Sequence, residues 1–346
     1  MLPTPAEEPP VAASDEPRSA PAADAAQWAL DEGLRRALAV AVRAAADAAR
    51  PLVGCGDGDA VDAAAVEALR TALAGAPADI RVVSGEGEKD DAPMLHPGER
   101  FGTGAGPALD LVVDPVDGTR LAASGRAGAM AILAVAPRGS FADLGPAFYL
   151  DKLVHAAPAS GADAGLGLDL PVAENLARLA AAHGRPVSSL RVAVQTRPRN
   201  AAVAEAVTAA GAQVHGFEHG DIERVVHAVS TNGGLDLLLG IGGAPEGLLE
   251  AAIVRAHGGI MRARFAPQSD AESLRIADFL ASDRASSVGA GLATATGLGL
   301  HDLCAASALV VIAPVTPCAV APARAPSVIV DDAGRPDLVT AGLTAG

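Results

Sequence analysis

Three apolar stretches of this chain run directly into acidic turns, and that pattern restricts the fold more than any other feature. Asp79 to Ser84 ends at Gly85-Glu86-Gly87-Glu88, and Leu109 to Val113, apolar but for Asp110, ends at Asp114-Pro115-Val116-Asp117-Gly118-Thr119. Leu235 to Leu239 leads through Gly240-Ile241-Gly242-Gly243 to Ala244-Pro245-Glu246. Short apolar runs closed by turn residues read as buried strands. Buried strands that empty into polar turns place charge at the carboxyl edge of a sheet, where α/β proteins bind ligands.

The remaining segments fit the same grammar. Ala25 to Arg50, rich in Ala, Leu and Arg, reads as a long helix stopped by Pro51. The Gly54 to Asp59 loop opens a second helix from about 60 to 73, and Ala127 to Ala136 reads as another buried strand. From about residue 185 strands and helices alternate. Strands are expected at 190–195, 213–217 and 235–239, with helices at 200–210, 222–230 and 246–256. That rhythm predicts a parallel or mixed sheet flanked by helices. Late strands are expected at 309–313 and 327–330. The chain thus divides into a Pro- and Ala-rich acidic tail without fixed structure (1–23), an α+β lobe (24–187), an α/β lobe (188–333) and a frayed end (334–346). There is no internal repeat.

Composition removes several classes of function. A formal charge of −15, with Lys89 and Lys152 as the only lysines, argues against nucleic acid and anionic membrane as partners, since both are held by clustered cations. No apolar run reaches membrane length. The first residues lack a basic segment followed by an apolar core, so they do not read as a signal peptide, and a cytoplasmic location is expected. Cys55, Cys304 and Cys318 are odd in number and widely spaced, which reads as reduced thiols and not as a disulfide framework or zinc site.

The acidic turns carry the chemistry. Carboxylates converging at one sheet edge repel unless cations neutralise them. With no His or Cys among them, hard Mg²⁺ or Mn²⁺ fits better than zinc. In the segment Asp114 to Thr119, two acids three residues apart can face one metal. Gly118 lets the backbone approach an anion, and the Gly118 and Thr119 amides can hold phosphate oxygens. Two-metal clamping is a recurrent solution for phosphate hydrolysis.

With the upstream Gly-Glu-Gly-Glu, the Asp-Pro-Val-Asp-Gly-Thr turn resembles the lithium-sensitive, metal-dependent phosphatases that include the inositol monophosphatases. The longer strings Gly85 to Leu95 and Gly240 to Gly247 closely resemble the class II fructose-1,6-bisphosphatases, and the likeness runs in order from about residue 25 to 260. It implies a two-lobed, layered α-β-α-β-α sandwich and hydrolysis of a sugar phosphate, in carbohydrate metabolism and gluconeogenesis. It implies two or more Mg²⁺ or Mn²⁺ ions per site, with ligands Asp62, Glu86, Asp114, Asp117, Thr119 and Glu246 and the Val116 carbonyl. The first lobe would bind metal, and the second would supply Glu246 and most substrate contacts. By the same resemblance, Thr119, bonded to Asp62 and beside Glu86, would orient the attacking water, with Asp90 as an auxiliary acid/base. Gly118, Thr119, Tyr149, Arg197, Arg199, His219, Asp221 and Gly243 would contact the substrate. Family members are often oligomeric, so a homo-oligomer is compatible with the likeness.

The chain departs from the family pattern at Gly58, where a lysine is usual, and at His219, where the family has Asp. The segment 268–296 is shorter than in the family, and the basic C-terminal ending is absent. A specialised phosphatase for another sugar or cyclitol phosphate is therefore an alternative, as is a non-catalytic sugar-phosphate sensor. Read from pattern alone, several candidates keep plain roles. Asp90 can be a solvated loop acid, Tyr149 a core aromatic, Arg197 and Arg199 a solvent-facing pair, and His219 a surface histidine.

Overall fold

The computed structural model describes residues 31–85, 95–158, 163–230, 234–282 and 287–318, with short strands at 328–330 and 336–338. The expected N-terminal tail, Glu86 and Asp90 lie outside the described residues.

The chain opens with α1 (Glu32–Ala49) and α2 (Gly58–Leu73), then β1 (Asp79–Ser84), β2 (Arg100–Phe101), β3 (Ala108–Asp117), α3 (Thr119–Ala123) and β4 (Met130–Pro137). Next come β5 (Tyr149–His155), α4 (Val172–His183), β6 (Arg191–Gln195), α5 (Ala201–Ala209), β7 (Gln213–Phe217) and α6 (Asp221–Val229). They are followed by β8 (Leu237–Gly243), α7 (Ala244–Ala256), β9 (Ile260–Phe265), α8 (Asp270–Leu280), α9 (Ser287–Leu292), β10 (Leu298–Gly299) and α10 (Leu300–Leu303). The described elements end with β11 (Leu309–Pro314), β12 (Val328–Val330) and β13 (Pro336–Leu338).

Two mixed sheets result, ordered β13-β12-β11-β4-β3-β1-β2 and β10-β9-β5-β8-β6-β7. Three apolar cores then define five layers. The first core joins α1 and α2 to one face of the seven-stranded sheet through Leu34, Leu38, Val42, Leu69, Leu111 and Leu133. The second fills the space between the sheets, where α6 and α7 lie. The third joins α4 and α5 to the outer face of the six-stranded sheet. This is the expected α-β-α-β-α sandwich.

Local sequence accounts for the outer layer. In α1 the buried positions Leu34, Leu38, Ala41, Val42, Ala45 and Ala49 recur at helical spacing. Asp31 caps its start by accepting from the Leu34 amide at 2.9 Å, an interaction of roughly 1 kcal/mol. Pro51 sits in a short 3-10 turn that stops it. The middle helix α7 is different. Leu248, Leu249, Ala251, Ala252, Ile253 and Val254 are all buried, so it is apolar around nearly its whole circumference. A helix with that pattern must be covered on every side, and here it lies between two sheets.

The polar Asp110 near the start of β3 is fully buried and answered from three directions. Arg81 Nε donates to it at 3.0 Å, the Gly139 amide at 2.6 Å, and Arg138 pairs with it at 3.2 Å. The sheets are not contiguous in sequence. β5 belongs to the six-stranded sheet, whereas β11 returns to pair with β4, so the layers cut across the boundary expected at residue 188. β5 carries no strand signal in the sequence because Asp151, Lys152 and His155 interrupt it. Asp151 is paired with Arg264 at 2.8 Å, which lets a charged residue occupy a central strand. β9 and α4 are likewise additions to the expected elements, and α8 fills part of the shortened region.

His155 yields a test of this packing. It is buried, and its Nδ1 lies 2.8 Å from the Ala156 carbonyl, which can only accept. Burial, with His183 and Arg262 nearby, outweighs that carbonyl and Asp163 and holds its pKa below the ordinary 6.5. The unfolded chain therefore binds this proton first as pH falls, and stability present above about 6.5 is lost below it, by at most about 1.4 kcal/mol per pH unit. Between pH 7 and 5.5 the denaturant midpoint of the unaltered protein should fall relative to that of His155→Gln, a difference that isolates this group from the buried carboxylates, whose raised pKa values act in the opposite direction.

Candidate active site

Asp114 and Asp117 owe their common direction to a bulge. β3 pairs Asp114 with Ile132 of β4 but Asp117 with Met130, so three steps on one strand match two on the other. Residues three apart in a regular strand face opposite ways. One extra residue restores the phase and turns both acids to one side. The Asp114 carboxylate accepts from the Val116 amide at 2.9 Å. Gly118 follows with φ +83°, in the left-handed region, and any Cβ there would press on Leu121. The Thr119 hydroxyl donates to the Val116 carbonyl at 2.9 Å. Its proton thus points to Val116, and the expected bond from Thr119 to Asp62 is not formed.

Glu246 comes from the other sheet. It lies in the first turn of α7, after Pro245, where the helix dipole favours a carboxylate. Gly243, at the N-cap of α7, leaves room for it, because a Cβ there would overlap the Glu246 carboxylate as it stands. Asp62 arrives from the second turn of α2, whose start is capped by Asp57 through the Ala60 amide at 3.1 Å.

These acids sense one another. Burial first, then the charges of Asp117, Glu246 and Asp62, raise the Asp114 pKa well above the carboxylate range. Asp117 is raised likewise by burial and by Asp221, Glu246 and Glu250. Asp117 Oδ2 and Glu246 Oε2 are buried without a hydrogen-bond partner. Buried, mutually repelling oxygen donors are the chemistry that a hard divalent cation satisfies. Among the described residues no three His, Cys, Asp or Glu side chains are placed to hold an ion as a finished cage, and Glu86 lies outside them.

The same cleft, of about 850 Å³, has a second, basic wall. Arg197 and Arg199 both line it, as do Tyr149, His219, Asp221 and Gly243. Arg199 stacks over the Tyr149 ring with its guanidinium carbon 4.6 Å from the centroid. Arg197 approaches His219 Nδ1 at 3.1 Å. The same guanidinium nitrogen, Nη2, lies 3.4 Å from Nε2, and because a guanidinium only donates, the ring nitrogen that takes this bond accepts and the other carries the hydrogen of the neutral ring. Burial, then the charges of Arg197 and Arg120, lowers the His219 pKa, which keeps the ring neutral at physiological pH. Every described site candidate therefore borders one cavity; Glu86 and Asp90 fall outside the described residues.

Sequence reasoning missed three residues here. Arg120 lines the cleft beside Thr119, and its place next to the acidic turn was the available signal. Gln195 lines it from the end of β6, a strand end on the ligand-binding edge. Lys152 is buried beneath Asp221, inside a strand that the pattern did not reveal.

Comparison with known proteins gives the family. The family described as bacterial fructose-1,6-bisphosphatase, glpX-encoded, matches residues 33–319. The Escherichia coli K12 protein named fructose-1,6-bisphosphatase 1 class 2 is 41% identical over 241 residues, covering 68% of this chain and 70% of that protein. The Haemophilus influenzae fructose-1,6-bisphosphatase class 2 is 40% identical over 244 residues, covering 69% and 72%. An extragenic suppressor from Pyrococcus furiosus, among solved structures, aligns with a TM-score of 0.28 at 13% identity over 56% of this chain and 69% of that one, too slight a likeness to bear on the fold. The chain is a phosphoric monoester hydrolase. Within that class it belongs to the class II fructose-1,6-bisphosphatase family. No helix among the described residues is long and apolar enough to cross a membrane.

The repulsion between the acids can be measured directly. Asp117→Asn should raise the melting temperature without added metal by roughly 2 °C, the effect of about 1 kcal/mol in a protein of this size. It should also lose most of the stabilisation that Mg²⁺ or Mn²⁺ confers on the unaltered protein. An Asp117→Asn protein that responds to Mn²⁺ as the unaltered one does would break the assignment.

Proposed function

We propose that this chain hydrolyses fructose 1,6-bisphosphate to fructose 6-phosphate and inorganic phosphate in a divalent-metal-dependent reaction. One observation carries the reading: the cleft has two signs. Asp62, Asp114, Asp117 and Glu246 converge on one part of it, and Arg197 and Arg199 line another. A substrate with a phosphate at each end suits such a cleft, because one phosphate can meet cations and the other guanidinium groups.

The residues that would hold the metal are Asp62, Asp114, Asp117 and Glu246, with Thr119, the Val116 carbonyl and, from outside the described residues, Glu86. Bound there, Mg²⁺ or Mn²⁺ would neutralise the reacting phosphate and acidify the attacking water. The Gly118 and Thr119 amides would hold phosphate oxygens, and the Thr119 hydroxyl would orient water for in-line attack on phosphorus. As the bond from phosphorus to the sugar oxygen breaks, that oxygen takes a proton, for which Asp90 is the candidate donor. Arg197 and Arg199 would bind the distal phosphate, with Tyr149 stacked to fix Arg199. Asp221 would accept from a sugar hydroxyl, and the protonated nitrogen of neutral His219 would donate to one.

Two features support a second reading, a phosphatase with altered sugar preference. Where the family has Asp, His219 offers a donor in place of an acceptor. Gly58 leaves room beside the catalytic threonine: a Cβ there would meet only the Thr119 methyl, at 3.4 Å.

Phosphate release with Mg²⁺ and Mn²⁺ against fructose 1,6-bisphosphate and a panel of sugar and inositol phosphates tests the reading. Preference for fructose 1,6-bisphosphate is expected, and turnover confined to another ester would overturn the substrate. Asp114→Ala and Glu246→Ala should abolish metal-dependent turnover. Thr119→Val should cost roughly two orders of magnitude in kcat. Gly58→Lys should raise kcat/KM for fructose 1,6-bisphosphate by about tenfold, the effect of one added charge-assisted hydrogen bond to phosphate.

A further inference from the structure

Beneath the basic wall lies a chain of polar contacts in which Glu250, Lys152 and Gln195 have no role above. Lys152, one of only two lysines in the sequence, is wholly buried in β5. Its ammonium lies 3.0 Å from Asp221 Oδ2 and bonds the Glu250 carboxylate of α7. Burial alone would lower its pKa, but Glu250 and Asp221 outweigh that and raise it, so it remains a cation. Gly242 makes room for the pair, since a Cβ there would overlap both Asp221 Oδ2 and Lys152 Nζ.

The other Asp221 oxygen is held too. Gln195 Nε2 donates to Asp221 Oδ1 at 3.2 Å, while Gln195 Oε1 accepts from Arg199 Nη2 at 2.7 Å. Arg199 Nε also donates to the Ile241 carbonyl at 3.0 Å. Asp221 and Arg199 thus have every contact needed for one continuous strut: Glu250, Lys152, Asp221, Gln195, Arg199, Tyr149. The Gln195 amide suits the middle of it for a chemical reason. A carboxylate can only accept and a guanidinium can only donate, so the linker must offer a donor to one and an acceptor to the other. Leucine offers neither, and glutamate would face Asp221 with a second anion.

We infer that Lys152 and Gln195 are positioning residues for the substrate, locking the Asp221 carboxylate to the Arg199 guanidinium so that the sugar and the distal phosphate are gripped at one fixed spacing. The inference rests on the bisphosphate reading of the cleft. Prepaid orientation of this kind acts on binding. A group that fixes ligands at the far end of a substrate moves KM more than the chemical step.

Lys152→Met would strand two buried carboxylates and threaten the fold, so the decisive variants lie at the cleft end of the strut. Gln195→Leu should raise KM for fructose 1,6-bisphosphate about tenfold while kcat changes by less than about twofold, as for the loss of hydrogen bonds to charged groups. In an Arg199→Ala background the same Gln195→Leu change should add less than about twofold to KM, because the strut is already severed. Melting temperatures of all four proteins, including the unaltered one, separate a positioning effect from loss of fold. A full tenfold rise in KM with and without Arg199, or a fall in kcat that matches the loss in kcat/KM, would overturn the strut alone. An unaltered protein inactive on fructose 1,6-bisphosphate would overturn the functional reading, and the strut argued from it as well.

Discussion

Like charges held out of water dominate this structure. Asp62, Asp114, Asp117 and Glu246 come from α2, the bulge of β3 and the start of α7, and the pKa of Asp114 rises through burial first and then because the other three are near. No folding force favours that gathering by itself. It persists because the carriers are rigid. β3 is a central strand of one sheet, and α7 is wedged between both sheets by apolar contacts along nearly its whole surface. Core packing thus holds the acids together although Asp117 Oδ2 and Glu246 Oε2 are buried there without a hydrogen-bond partner.

The protein supplies some of its own countercharge, one layer deeper. Lys152 lies between Asp221 and Glu250, and among the charges acting on Asp117 it is the one that lowers its pKa. A lysine can occupy a central strand at this depth because both carboxylates reach its ammonium and Gly242 leaves the space. The cleft therefore changes sign over a short distance, from clustered acids to Arg197 and Arg199. Asp221 stands between the two regions, bonded to the buried ammonium on one oxygen and, through Gln195, to Arg199 on the other.

Much of this was legible in the chain. Apolar runs ending in acidic turns identified β1, β3 and β8, because burial and turn chemistry are both local. The all-round apolar character of Glu246 to Ala256 belongs to a helix that becomes a middle layer. What stayed hidden was hidden by compensation at a distance. β5 carries Asp151, Lys152 and His155, and it reads as a strand only once Arg264, Glu250 and the Ala156 carbonyl are known to answer them. The bulge could not be read either. Asp-Pro-Val-Asp shows two acids three residues apart, but whether they face the same way depends on how many residues of β4 they oppose.

The sequence by itself determined which residues could do chemistry here, and the class of fold that would present them. Residue type and strand-to-turn pattern are local properties, set by hydrophobic periodicity and by backbone preferences at Gly and Pro. Only the tertiary structure decided how those residues face one another: that Thr119 bonds Val116 and not Asp62, that His219 accepts from Arg197, and that Gln195 joins Asp221 to Arg199. Those pairings unite segments up to dozens of residues apart. A hydrogen bond forms only within a few tenths of an ångström of its proper length, a precision that packing of distant layers supplies and local sequence does not.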